Sequence, residues 1–177
     1  MNEEKFTLFY GGPFSQWLAS EFVINDVKYC TAEQYMMSQK ATMFGDTVML
    51  KKIMETDNPR TQKACGRNVE GFDAETWNVY AKPIVFDASM AKYIQNPDLL
   101  DHLIATEGTT LVEASPYDKI WGIGMDAENP DALDPTKWKG TNWLGDILTK
   151  TREIIMLSKF KDIWQHRKNY TSHLSYN

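Results

Sequence analysis

The chain has 177 residues, enough for one domain with a sizeable core, and its 42% hydrophobic and 24% charged residues are ordinary for a globular protein. A net charge of −5 argues against tracking a long nucleic-acid backbone, but not against recognising one modified nucleotide or a phosphorylated small molecule. No apolar stretch approaches the roughly 20 residues of a membrane span. Met1-Asn2-Glu3-Glu4-Lys5 lacks the basic-then-apolar order of a signal peptide, so a cytoplasmic protein without membrane contact is expected. Cys30 and Cys65 have no metal-like spacing and read as small buried residues. His102, His166 and His173 form no ligand pair, so neither a metal enzyme nor a cofactor is expected, carboxylate-only Mg²⁺ binding being the alternative left open.

Phe6 to Tyr10 reads as a short strand stopped by Gly11-Gly12-Pro13. Phe22-Val23-Ile24 and Val27-Lys28-Tyr29-Cys30 flank Asn25-Asp26, a hairpin turn. Thr31-Ala32-Glu33-Gln34 has the form of a capping box that opens a helix running toward Phe44. Along that helix Glu33, Met36, Met37 and Lys40 share one side. Asn58-Pro59 starts another helix, with Gly66 expected to end it. Asp73 caps a further helix that leads to Trp77, and Pro83 is expected to break or kink it before a restart toward Ile94. Asn96-Pro97-Asp98 turns into a short helix through Leu103. Residues 125–140, with Pro130, Pro135 and Gly140, read as a long surface loop. The last strong helix begins near Asn142, and an extension through Phe160, Ile163 and Trp164 is expected. The pattern predicts a single α+β domain, predominantly helical, with a small N-terminal β portion. Domain boundaries of 1–156 follow, with 157–177 as a C-terminal helix extension and tail.

The stretch from Leu111 to Gly124, LVEASPYDKIWGIG, holds the most chemistry. It places Glu113, Asp118 and Trp121 within a few residues of each other, with Gly122 and Gly124 letting a ligand approach the backbone. A carboxylate beside an aromatic wall suits a site that holds a ring while stabilising positive charge on a sugar. The alternative is that Trp121 is core and Asp118 caps a turn.

These residues resemble the NADAR (YbiA-like) family. The matching residues run in order from Thr31-Ala32-Glu33-Gln34-Tyr35 and Lys40-Ala41 through Lys63, Gly66-Arg67, Trp77 and Gln95-Asn96. They continue with Leu111 to Ser115, Asp118, Trp121 to Gly124, Trp138, Gly140, Asn142, Leu144-Gly145 and Arg152. The resemblance covers roughly residues 6 to 155. It implies a helical, metal-independent protein that breaks bonds between ribose C1 and nitrogen. Two activities are implied: removal of ADP-ribose from modified guanine in nucleic acid, and hydrolysis of ribosylamino-pyrimidine phosphate intermediates of riboflavin synthesis. The partner is accordingly a ribosyl nucleotide or an ADP-ribosylated nucleic acid. The family commonly has Phe-Ser-Asn-aromatic near its start where this chain has Phe14-Ser15-Gln16-Trp17. Thr149 stands where many members have Met, and the tail from about Leu157 has no counterpart.

With the resemblance added, the expected catalytic residues are Glu33, Lys40 and Asp118. Glu33 is expected as the carboxylate near ribose C1, in the first turn of its helix, where the macrodipole favours an ionised acid; otherwise it only serves the helix terminus. Lys40, two turns on, has three open roles besides that of a surface lysine: proton donor, phosphate ligand, or imine-forming amine. Asp118 and Glu113 can orient water or a ribose hydroxyl. Trp77 and Trp121 are stacking faces or core. Lys63 and Arg67 can clamp a phosphate or form structural ion pairs. Gln34 and Gly122 complete the expected binding set with Asn142, which either opens a phosphate-binding helix or is simply its N-cap. Two further functions stand beside the glycosidase: a non-catalytic reader of NAD or ADP-ribose, and an interaction protein whose Trp residues are all structural.

Overall fold

A computed structural model describes residues 5–158. The first strand, β1 (Phe6–Phe9), does not pair with its sequence neighbours. It lies parallel to β4 (Thr110–Glu113), in a register that puts Phe9 opposite Glu113. The hairpin β2 (Phe22–Ile24) and β3 (Val27–Tyr29) is a separate antiparallel pair. Its turn is the expected Asn25-Asp26, both in the left-handed region that Asn and Asp tolerate. Leu111 to Glu113 thus form a strand, not only an apolar run, and the β portion draws on the middle of the chain.

Around these strands pack six helices: α1 (Ala32–Met43), α2 (Thr47–Met54), α3 (Pro59–Arg67), α4 (Ala74–Gln95), α5 (Pro97–Ile104) and α6 (Trp143–Leu157). The N-caps follow the sequence: Thr31, Asn58 and Asp73 each accept a backbone N–H of the first turn. Sequence reading missed α2, although Asp46 caps it by accepting from Met49 N. Pro83 does not interrupt α4, which runs through it for 22 residues. Gly66 does not end α3; a Cβ there would collide with the Met37 side chain, so this glycine lets α3 approach α1. Between Met125 and Gly140 lie two 3-10 turns, Pro130–Leu133 and Pro135–Lys137, and Ala132 and Met125 are buried there. The cysteines are half-buried and free. α6 closes at Leu157 with Ser158 extended, and the remainder of the expected C-terminal extension lies outside the described residues.

Helix α1 is the centre of the molecule. It packs on α2, α3 and α4, and Ala32 to Ser38 are buried without a solvent face. That burial is why a one-sided reading of α1 is too simple: Glu33, Gln34 and Lys40 are all inside. No helix among the described residues is long and apolar enough to cross a membrane.

Candidate active site

Glu33 sits at the buried N-terminal end of α1, only 3% exposed. Its backbone N–H donates to the Gln16 carbonyl, and Trp17 Nε1 donates to its Oε2 at 3.3 Å. Its Oε1 is buried without a hydrogen-bond partner. Burial pushes the Glu33 carboxyl up to about 7 from an ordinary 4.5. Lys63, the Trp17 indole and Arg67 oppose that rise, and Asp118 adds to it.

Three elements complete the cluster. Lys63, on α3, places Nζ 3.9 Å from Asp118 Oδ2 and 5.6 Å from the Trp17 ring centroid. Asp118 belongs to the turn after β4, and its Oδ1 accepts the backbone N–H groups of Ile120 and Trp121 at 2.9 and 2.8 Å. One oxygen therefore builds the turn, as the turn reading of Asp118 expects, and the other faces Lys63. Glu113 ends β4, with Oε2 buried and unpartnered. Burial also pushes its carboxyl up to about 7, with Asp118 and Glu33 adding and Lys63 opposing. Arg67, one turn beyond Lys63, is exposed and acts on Glu33 through charge. The structure thus gathers Glu33, Lys63, Glu113, Asp118 and Arg67, which are distant in sequence. Two buried acids near neutrality beside a lysine–aspartate pair are equipped to hold and pass protons.

Four expected residues sit elsewhere or are used differently. Lys40 lies outside the carboxylate cluster: its Nζ is 3.8 Å from the Phe72 ring centroid and 5.6 Å from that of Trp77. Its pKa is lowered by burial alone, with no carboxylate acting on it. Gln34 is consumed by the fold. Its Oε1 accepts from Cys30 N, and its Nε2 donates to the carbonyls of Ile53 and Thr56, tying α1 to the end of α2. Gly122 is buried, and a Cβ there would press on the Glu113 and Asp118 carbonyls, so the absence of a side chain serves the packing of this turn. Asn142 stands at the N-cap of α6 but makes no side-chain capping hydrogen bond, and the helix N-terminus is not exposed. Asn142 is fully buried in the left-handed region, accepts from Glu113 N, and donates to Leu111 O and Asp146 Oδ1. The next two N–H groups, of Trp143 and Leu144, are taken by the Ile120 and Trp121 carbonyls, which leaves them no free hydrogen for a phosphate.

Asn142 instead fixes the strand that carries Glu113. Asn142→Ala should lower unfolding free energy by about 3 kcal/mol, from unpaired buried backbone groups and the loss of a residue type that tolerates the left-handed region. Urea unfolding checks this; a change under about 1 kcal/mol would contradict the tie.

Trp121 is half-buried, its ring edge-on to Trp143 at 5.6 Å, and Trp77 packs partly against the main core beside Lys40. Sequence reasoning gave Trp17 no place in the site, and Gln16 only as an amide whose changed reach can touch substrate. The one signal was the Phe14-Ser15-Gln16-Trp17 departure. Both Gln16 amide atoms are buried without partners. Among the described residues no group of three or more His, Cys, Asp or Glu is arranged to hold a metal ion.

The chain is 40% identical over 166 residues to the N-glycosidase R617 of Acanthamoeba polyphaga mimivirus, covering 86% of this chain and 98% of that one. It is 28% identical over 144 residues to the N-glycosidase Npun_R5314 of Nostoc punctiforme, covering 81% and 85% respectively. The solved NMR structure of the E. coli protein YbiA superposes with a TM-score of 0.73 at 25% identity, over 90% of each chain. The NADAR domain model matches residues 6–156, and the chain belongs to the NADAR domain family.

Proposed function

We propose that this chain removes ADP-ribose from ADP-ribosylated guanine in nucleic acid, by hydrolysis of the bond between ribose C1 and the base nitrogen. At the coarser level the chain is an N-glycosidase, a hydrolase of N-glycosyl compounds, like its relatives. The observation that carries the reading is Glu33: a buried acid near neutral pKa, held by the Trp17 indole and facing the Lys63–Asp118 pair.

As the C1–N bond breaks, the electron pair leaves with nitrogen and positive charge builds on the ribose. Protonated Glu33 gives its proton to the departing nitrogen. Asp118 stabilises the oxocarbenium charge through its free oxygen, and Lys63 orients that oxygen. Water then adds to C1 and returns a proton to the Glu33 carboxylate, which restores the starting state. Glu113, coupled to Glu33, is the second group able to hold a proton at neutral pH, so the two acids titrate together. The choice of ADP-ribose over a single ribosyl phosphate is supported by Lys40 with Phe72 and Trp77. Lys40 lies seven residues along α1 from Glu33, about 10 Å, a span that a dinucleotide-length ligand covers, and its Nζ sits against both rings. Trp77 and Trp121 are the faces for its rings, and Arg67 the phosphate contact.

A paired assay without added metal tests this, with an ADP-ribosylated guanine oligonucleotide in one arm and a ribosylamino-pyrimidine phosphate in the other. Release from the oligonucleotide alone supports the proposal. Release from the pyrimidine alone moves the substrate to the small phosphate, which the net charge of −5 suits. Release from neither, with ADP-ribose still raising the thermal midpoint, makes this a binding module. Activity in the productive arm should decline above about pH 7, because the proton donor is lost as Glu33 ionises. An activity that is flat from pH 6 to 9 would remove Glu33 as the acid.

A further inference from the structure

Lys92, on α4, has no exposed surface, and its hydrogen bonds go to no acid. Its Nζ donates to the carbonyls of Pro13 at 3.1 Å and Ser15 at 2.8 Å, and Tyr93 Oη donates to the same Pro13 carbonyl at 3.1 Å. Burial holds the Lys92 ammonium down to about 7. A cation kept inside without an anion is costly, and an apolar side chain would fill the space at less expense. Its retention asks what those two carbonyls do.

They belong to the segment that enters the site. After β1 the chain turns through Gly11 and Gly12, both left-handed, into a single 3-10 turn, Gly12–Phe14. Past β1 this segment pairs with no strand, so its inward carbonyls need donors from elsewhere. The next residue, Gln16, gives its carbonyl to Glu33 N–H, and Trp17 gives its indole N–H to Glu33 Oε2. Lys92 and Tyr93 hold one end of this short segment and Glu33 the other.

We propose that Lys92 is a positioning residue: by converging on the Pro13 and Ser15 carbonyls it fixes segment 13–17 so that the Trp17 indole reaches Glu33. Lys92 acts through the segment, by its hydrogen bonds to the Pro13 and Ser15 carbonyls, and is not among the main causes of the Glu33 shift. The groups that set that shift by charge are Lys63 and Arg67 from α3 and Asp118 from the turn after β4, while Glu113 on β4 is coupled to Glu33 in turn. The structural part stands whatever the protein cleaves; only the kinetic part rests on Glu33 as the proton donor.

The test follows the Trp17 indole N–H by 15N NMR in the full chain, assigned by its absence in Trp17→Phe. In the wild type this signal shifts as Glu33 titrates. In Lys92→Met it should lose that shift and exchange faster with solvent. Tyr93→Phe keeps the ring and removes only one donor to Pro13, so it should weaken the same signal; it decides the question if Lys92→Met does not fold. In the kinetic arm, Lys92→Met should lower kcat about tenfold through misalignment, with KM little changed. Its high-pH limb should move upward as in Trp17→Phe, because both variants lose the indole bond that lowers Glu33. Adding Trp17→Phe to Lys92→Met should then cost nothing more. A folded variant whose Trp17 signal titrates as in the wild type overturns the proposal. A changed signal in a protein with no glycosidase turnover leaves the positioning role standing and removes the reaction instead.

Discussion

Glu33→Gln should reduce turnover about a thousandfold while the protein stays folded. Glutamine keeps the shape and an acceptor oxygen for the Trp17 indole, but it has no proton to give. The effect belongs in kcat, since the change removes an interaction made as the C1–N bond breaks and leaves the binding surfaces in place. Stability should move the other way. The Glu33 carboxyl is raised in the folded state, so its stabilising contribution is complete below about 4.5 and is lost as pH rises through about 7. The rise from 4.5 to about 7 corresponds to about 3 kcal/mol at alkaline pH, an upper figure because Glu33 and Glu113 are coupled. Glu33→Gln should therefore equal or exceed the wild type in urea resistance at pH 8 and converge with it near pH 4. Loss of fold, or turnover within about tenfold of the wild type, would take the acid role away from Glu33.

Local chemistry was legible in the sequence, and convergence was not. The caps Thr31, Asn58 and Asp73 and the Asn25-Asp26 turn depend on contacts within a few residues, and each sits where composition places it. Gly66 and Pro83 misled because tertiary contact overrode local preference. Gly66 serves a helix crossing against Met37, and α4 tolerates a missing N–H because its packing on α1 and α6 holds it. The parallel pairing of β1 with β4 joins residues about a hundred positions apart, beyond any periodicity argument. In the site, Glu113 and Asp118 were close enough in sequence to be read together. The sequence reads Lys63 as a phosphate clamp or an ion-pair partner, without pointing to Asp118 as that partner. Lys40 was placed with Glu33 by helical spacing, but one shared face seven residues long extends past a single cluster. Gln34 enters the binding set through the family resemblance, and Asn142 as the residue that opens α6. Their amides instead serve backbone groups of the fold, which a sequence without contacts cannot distinguish.

Asp118→Asn separates the two uses of one side chain and should cost about a thousandfold in kcat with little loss of stability. Asparagine retains an Oδ1 that accepts from Ile120 N and Trp121 N, so the turn after β4 survives. What disappears is the negative charge on the oxygen that faces Lys63. Two consequences follow from that charge. The oxocarbenium loses its nearest counter-charge, which slows the chemical step. Glu33 and Glu113 also lose a neighbour that raises them, so the decline in activity at high pH should begin lower than in the wild type. Asp118→Ala provides the contrast, because it removes the turn acceptor as well and should add a loss of about 1–2 kcal/mol in stability. If Asp118→Asn were as active as the wild type and Asp118→Ala merely unstable, Asp118 would be a turn residue alone. The charge beside the ribose would then have to come from Glu113, the remaining carboxylate coupled to Glu33 in the cluster.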